Sequence, residues 1–175
     1  MDATEELVPH DRDAAVEVLF RAEWASLRRL GFLLTDDLGL AEDLAQEAFL
    51  GLHRRWGDLD DRSSAAAYLR SSVVNGARSA HRRRALARRR PPPPDPASTA
   101  GPDAGLLLAE EHRAVLGAVR RLPRRQREVL VLRYWSGLSE AEIARTLGVS
   151  AGTVKTSAFR ALATLSNRLG ATDEH

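Results

Sequence analysis

The stretch Ser136–Leu162, "SGLSEAEIARTLGVSAGTVKTSAFRAL", carries two helix starts and one helix stop. Ser139 followed three residues later by Glu142 is an S-x-x-E capping box, in which each residue satisfies a free backbone N–H of the other. Gly148 comes where that short helix must end, because glycine adopts the left-handed conformation that closes a helix. Ser150 is a second N-cap, opening a helix to about Arg168. A short capped helix, a glycine turn and a second capped helix fit the helix–turn–helix geometry. Ile143, Ala144, Val149, Val154, Phe159 and Leu162 are expected to form its small core. Thr153, Lys155, Thr156, Ser157 and Arg160 are expected to face outward. In such a motif the second helix enters the major groove. Hydroxyls there can bond phosphates or base edges, while Lys155 and Arg160 supply charge and guanine-directed donors. A helical hairpin with a solvated polar face is the plain alternative.

Upstream, Leu106 to Arg121 is amphipathic, and Pro123 stands where a new helix begins, since its missing N–H is not needed there. Val129, Leu130, Leu132 and Arg133 carry that helix to about Trp135. Before it, "PPPPDPASTAGPDAG", Pro91–Gly105, holds six prolines. These exclude a helix or a central strand and make a semi-rigid spacer. A loop this long argues for two units rather than one. Three helices are expected ahead of it. The first runs from about Asp13 to Leu34 on Val16, Leu19, Phe20, Trp24, Leu27, Leu30 and Leu34. The second, Leu40–Trp56, has the stripe Leu40, Leu44, Ala45, Ala48, Phe49, Leu52 and Trp56. The third follows Ser64 towards Arg90 and buries Tyr68, Leu69, Ser72, Val73, Gly76 and Ala77. The fold class is therefore all-α: two small helical domains, 1–90 and 106–170, joined by a proline-rich linker, 91–105.

Composition narrows the chemistry. The 175 residues include no cysteine, which excludes disulfides and cysteine-based metal sites. The five histidines show no ligand spacing. An acidic N-terminus is unlike a signal peptide, and no apolar run approaches a membrane span, so a cytoplasmic protein without membrane insertion is expected. Charge is segregated. Residues 1–64 carry 15 acids against 7 bases, whereas residues 65–90 carry 8 arginines and no acid. Adjacent blocks of opposite sign point to two partners of opposite character, with a pair of solvated faces as the plain alternative.

The acidic block centres on "DDLGLAEDLAQEAFLGLHRRW", Asp36–Trp56, where Glu42, Asp43, Gln46 and Glu47 lie away from the apolar stripe. No histidine or nucleophile completes a catalytic set, so a docking surface is the better reading. "DLDDRS", Asp58–Ser63, lacks the glycine and closing glutamate of a calcium loop. No catalytic residue, metal or cofactor is expected. The basic block, "ARSAHRRRALARRR" (Ala77–Arg90), has seven arginines and is a ready phosphate binder. It has no strongly apolar face beside its charge that would make it a membrane anchor.

Three motifs together resemble the extracytoplasmic-function (ECF) sigma factors of bacterial RNA polymerase, in the sigma-70 superfamily, and most of all the actinobacterial SigE-family branch. They are "AEDLAQEAFLGLHRRW", "AYLRSSVVNGARSAHRRR" and "LPRRQREVLVLRYWSGLSEAEIARTLGVSAGTVKTSAFRAL", and the resemblance covers about residues 14–168. It implies a two-domain specificity subunit whose Leu40–Trp56 helix binds the β′ clamp helices of core RNA polymerase through Asp43, Gln46, Glu47 and Leu50. By the same resemblance the Tyr68–Arg84 helix, with the Asp58–Ser64 loop, engages the −10 element through Asn75, Arg78, Arg82 and Arg83. The −35 element is read through Thr153, Lys155, Thr156, Ser157, Phe159 and Arg160. An anti-sigma factor is the implied regulator. Many relatives follow the basic residue at the position of Lys155 with Ser and then a long polar residue; this chain has Thr156-Ser157 instead, leaving Lys155 and Arg160 more of the long-range reading.

The expected function is that of an alternative sigma factor, which recruits core polymerase to promoter DNA and performs no bond chemistry. A stand-alone helix–turn–helix regulator, dimeric on a palindromic site, and a sigma-mimicking decoy are the alternatives.

Overall fold

The computed structural model describes residues 7–59, 62–87 and 113–170. Seven α-helices follow in order: α1 (Leu7–Thr35), α2 (Leu38–Arg55), α3 (Ala65–Ala87), α4 (Arg113–Arg120), α5 (Arg124–Leu130), α6 (Glu140–Leu147) and α7 (Ala151–Gly170). Two 3₁₀ turns, Trp56–Asp58 and Arg62–Ser64, lie between α2 and α3. No strand occurs among the described residues. The helices fall into two compact units, α1–α3 and α4–α7. The expected proline-rich linker, the end of the third helix at Arg90 and the start of the fourth at Leu106 lie outside the described residues.

In the first unit α1 starts earlier than its apolar spacing predicts, at Leu7 rather than Asp13. Pro9 falls in the first turn, where backbone N–H groups have no intrahelical acceptor, so proline costs the helix nothing there. α1 and α2 run antiparallel, as their cross-pairs show. His53 meets Asp13, Phe20 packs at a tilt against Phe49, and Arg28 bonds Glu42. Near the short turn that joins the two helices, Gly31 lies so close to Ala41 that a Cβ on it would sit 3.0 Å from the Ala41 Cα. Small residues on both helices thus set their separation. α3 packs across the pair: its Gly76 receives the Leu44 side chain, and the His81 Nε2 lies 2.9 Å from the Leu34 carbonyl oxygen.

Leu27, Leu30, Leu52, Leu69, Val73 and Val74 are wholly buried at the centre of this unit. Each such side chain contributes about 1.5–3 kcal/mol by leaving water. The α2 stripe is buried as expected from Leu44 to Trp56. In α1 the upper part of the expected stripe is less covered. Phe20 is exposed but stacks on Trp24 with ring centroids 4.9 Å apart.

In the second unit Pro123 is the N-cap of α5 and not its first residue. Its extended ψ of 141° leaves its carbonyl free to accept the first helical bond, from the Arg127 N–H at 3.0 Å. The Arg127 guanidinium donates to the Arg120 carbonyl at the end of α4, 3.1 Å away, and burial lowers its pKa. The α5 helix does not continue as α to Trp135. Val131–Trp135 forms a π turn, with the Ser136 N–H bonding back to the Val131 carbonyl.

The capping box is present as predicted: the Glu142 N–H donates to Ser139 Oγ, and the Ser139 N–H donates to the Glu142 carboxylate at 2.8 Å. Gly148 closes α6 at φ 63°, in the left-handed region. Ser150 Oγ accepts from the Thr153 N–H at 3.2 Å and so caps α7.

The helix–turn–helix core differs from expectation. Ile143 and Val154 are wholly buried, but Phe159 and Leu162 are exposed, at 76% and 45%. α7 instead buries Val154, Ala158, Ala161 and Leu165. At about 100° per residue these four lie on one side of the helix, whereas the fifth residue after Val154 has turned well away from it.

Candidate functional surfaces

Three surfaces gather the residues singled out by sequence. On α2, Asp43, Gln46, Glu47 and Leu50 are all exposed. Their spacing of three, four and seven puts them on one stripe, opposite the buried Ala41, Leu44, Ala45, Ala48 and Leu52. Leu50 is an aliphatic residue 58% exposed among acids and an amide. Glu42 is set apart from this group, because Arg28 of α1 donates to its carboxylate at 3.1 Å. The stripe therefore offers two carboxylates and one aliphatic side chain to a partner.

On α3, Asn75, Arg78 and Arg82 share a face by the same spacing, with Asn75 and Arg82 exposed and Arg78 half-buried. Arg82 also donates to Ser79 Oγ at 2.8 Å. Arg83 is exposed but lies about 100° round the helix from Arg82, so it does not share their face. Between α2 and α3 a cleft of about 420 Å³ is lined by Leu44, Glu47, Arg55, Tyr68, Ser71 and Asn75, among others. Asn75 and Glu47, which sequence reasoning assigned to different partners, thus border one cavity. No sequence signal marked that cleft, because it depends on how two helices cross.

On α7 the outward face carries Thr153, Lys155, Thr156, Phe159 and Arg160, all exposed. Ser157 does not belong with them. It is 8% exposed, on the packing side beside Ala158. A short residue suits that position, since a long one would have to be threaded out between helices. Phe159, expected in the core as well as at the DNA, is at the surface only. Two hydroxyls on this face already have local partners: Thr153 Oγ1 is 2.9 Å from Ser150 Oγ, and Thr156 Oγ1 donates to the Gly152 carbonyl at 3.0 Å. Glu140, at the start of α6, was not singled out by sequence. Its carboxylate accepts from Arg133 at 3.1 Å and stands 4.0 Å from the Lys155 ammonium.

Among the described residues no cluster of His, Asp or Glu could hold a metal ion, and no helix is long and apolar enough to cross a membrane.

Comparison with known proteins matches both units. Residues 19–87 fit the family model of Sigma-70 region 2, and residues 112–165 fit that of Sigma-70, region 4. The chain is 36% identical over 160 residues to the RNA polymerase sigma-E factor of Streptomyces coelicolor, covering 90% of this chain and 87% of that one. It is also 36% identical to the ECF RNA polymerase sigma factor SigM of Mycobacterium tuberculosis, over 89% of this chain and 78% of that one. In fold it resembles the sigma factor RpoE solved with the anti-sigma factor NepR from Bartonella quintana, with a TM-score of 0.68 at 22% identity over 88% of this chain and 96% of that one. CnrH, solved with the cytosolic domain of CnrY, gives 0.64 at 23% identity over 91% and 90%. The chain belongs to the sigma-70 family of bacterial RNA polymerase sigma factors, and within it to the extracytoplasmic-function group.

Proposed function

We propose that this chain acts as an alternative sigma factor, binding core RNA polymerase and directing it to a small set of promoters. The observation that carries this reading is the division of labour between the surfaces. An acid-and-leucine stripe on α2 shares a unit with the arginine face of α3, and the second unit presents a capped helix with Lys155 and Arg160 outward.

In this reading Asp43, Gln46, Glu47 and Leu50 dock on the β′ clamp helices. Asn75, Arg78 and Arg82 engage the −10 element, with Arg83 contributing from its separate direction. Opening a duplex requires bases to be unstacked at a cost of a few kcal/mol each. The cleft beside Asn75 is suited to receive an extruded base, since it is polar on the α3 side and adjoins the arginine face. α7 reads the −35 element through Thr153, Lys155, Thr156, Phe159 and Arg160. Ser157, buried, supports that helix instead of reading with it. The chain catalyses no reaction; it acts by placing the polymerase. The domains serving these roles are 1–90 and 106–170, with 91–105 between them. An anti-sigma protein covering one or both units is the regulator in keeping with this role, and the site of action is the cytoplasm.

The test is run-off transcription with purified core polymerase and a genomic promoter pool. Specific transcripts that depend on the added chain support the reading. Absence of both a core complex and specific transcripts would overturn it, and a dimer on palindromic DNA without core would favour a stand-alone regulator. The double variant Asp43→Arg, Glu47→Arg should lose core binding while both units remain folded by circular dichroism. Undiminished core binding by that variant removes the acidic stripe from the interface.

A further inference from the structure

Resting on the assignment of α7 to the −35 element, we infer that this helix reads thymine through carbon, by its C5-methyl group, with Thr156 and Phe159 as the reading pair. With Val154, Ala158, Ala161 and Leu165 inward, helical phase puts Thr156 and Phe159 at the centre of the opposite face. Lys155 flanks them on one side and Arg160 on the other. The centre of the face is thus apolar in a basic surround. Phe159 at 76% exposure has no cover within its own unit.

The hydroxyl chemistry points the same way. Thr156 Oγ1 spends its proton on the Gly152 carbonyl at 3.0 Å, which leaves the methyl as its uncommitted outward group. Thr153 Oγ1 is engaged with Ser150 Oγ, and Ser157 is buried. The hydroxyl at the centre of the face, that of Thr156, is therefore not poised to donate to a base edge. The remaining donors are Lys155 and Arg160, whose chemistry suits guanine and phosphate. In the major groove thymine alone among the four bases carries a methyl group, and Thr methyl and Phe side chains are suitable contacts for it. The occupant this face fits is duplex DNA with at least one thymine between the positions reached by Lys155 and Arg160.

The experiment uses holoenzyme made from the full chain and core polymerase. A −35 element is first selected from a promoter library randomised in that region. Each thymine in it is then replaced singly by deoxyuridine, which lacks only the methyl group. At one or more positions binding should weaken by about fourfold, the affinity equivalent of one methyl-sized group left in water. Thr156→Ser, which keeps the hydroxyl and loses the methyl, should show a comparable loss and no longer respond to uracil there. Thr156→Val, which keeps the methyl and loses the hydroxyl, should still lose affinity by about the same factor when that thymine is replaced by uracil.

A selected element without thymine, uracil substitution that is neutral throughout, or Thr156→Val losing the uracil response as Thr156→Ser does, would each overturn the inference. A scrambled −35 region separates this from its premise. If scrambling is costly but uracil is neutral, only the methyl reading fails; if scrambling is neutral, the assignment of α7 to the −35 element fails as well.

Discussion

Gly31→Ala should destabilise the first unit even though alanine is the better helix former. An ideal Cβ at Gly31 would stand 3.0 Å from both the Cα and the Cβ of Ala41 and 3.3 Å from its carbonyl oxygen. Carbon atoms in good contact are separated by about 3.5–4.0 Å, so the added methyl intrudes by roughly half an ångström or more. Two of the three obstructing atoms are backbone, at a buried close approach of the two helices, and cannot rotate aside.

Overpacking of this kind costs about 1–3 kcal/mol, against a gain of about 1 kcal/mol from replacing glycine in a helix. The net expectation is a loss of about 1 kcal/mol. Gly117→Ala is the matched control: it lies within α4 and a Cβ there would meet nothing within 4 Å. It should stabilise the second unit by about 0.5–1 kcal/mol.

Thermal unfolding should therefore move in opposite directions, at roughly 4–8 °C per kcal/mol for units of this size. Trp24 and Trp56 report on the first unit and Trp135 on the second. Fluorescence in a Trp135→Phe background then assigns the Gly31 effect. If Gly31→Ala raises the melting temperature as Gly117→Ala does, the close-approach argument is wrong.

Ser139→Ala removes the acceptor for the Glu142 N–H and should cost about 1 kcal/mol of second-unit stability, read as a lower urea midpoint; no change would mean the capping box contributes nothing. Glu140→Gln should release Lys155 and Arg133 to phosphate. The log–log salt dependence of promoter binding should then steepen by about 0.9 for each added phosphate contact, and an unchanged slope would show that the carboxylate restrains neither cation. Asp13 has its pKa lowered, first by its hydrogen bond with His53 and then by Arg12. A depressed folded-state value means stabilisation present above the usual aspartate range, near pH 4, and lost as pH falls through the folded value. The stability difference between the unmodified chain and Asp13→Asn should accordingly shrink below about pH 4 in urea titrations; a constant difference would refute the pairing.

Local signals with a strict geometry were legible from residues alone. The capping box, the left-handed Gly148 and the α2 stripe all depend on spacing within one helix, and the structure places them as read. The errors share a physical origin. Assigning Phe159 and Leu162 to the core followed their size and apolarity, although five and eight residues after Val154 they are out of phase with it. Ala158 and Ala161 are in phase, and they are the residues buried. Apolarity is a weak guide where helices approach closely, because the approach needs small side chains. Gly31 and Ala41 carry no strong hydrophobic signal for the same reason. The α2–α3 cleft arises from the crossing of two elements distant in sequence. The Arg133–Glu140–Lys155 cluster joins three helical segments in the same way.

The π turn at Val131–Trp135 has a consequence for how this unit tolerates length changes. By reaching back five residues instead of four, it absorbs one residue into a helix without lengthening it by a regular step. Deleting one residue there should let the ladder close as ordinary α-helix with the side chains beyond still on their present faces. Closing it as α with no deletion would instead rotate each of them by about 100° relative to Val129. In that second case Tyr134 and Trp135, now at the surface, would change faces, and the chain would enter the helix–turn–helix on a different heading. The turn works as a phase shifter between a packed helix and a DNA-directed motif. This segment should therefore tolerate the loss of one residue better than a regular helix would, while straightening it at full length should not be tolerated.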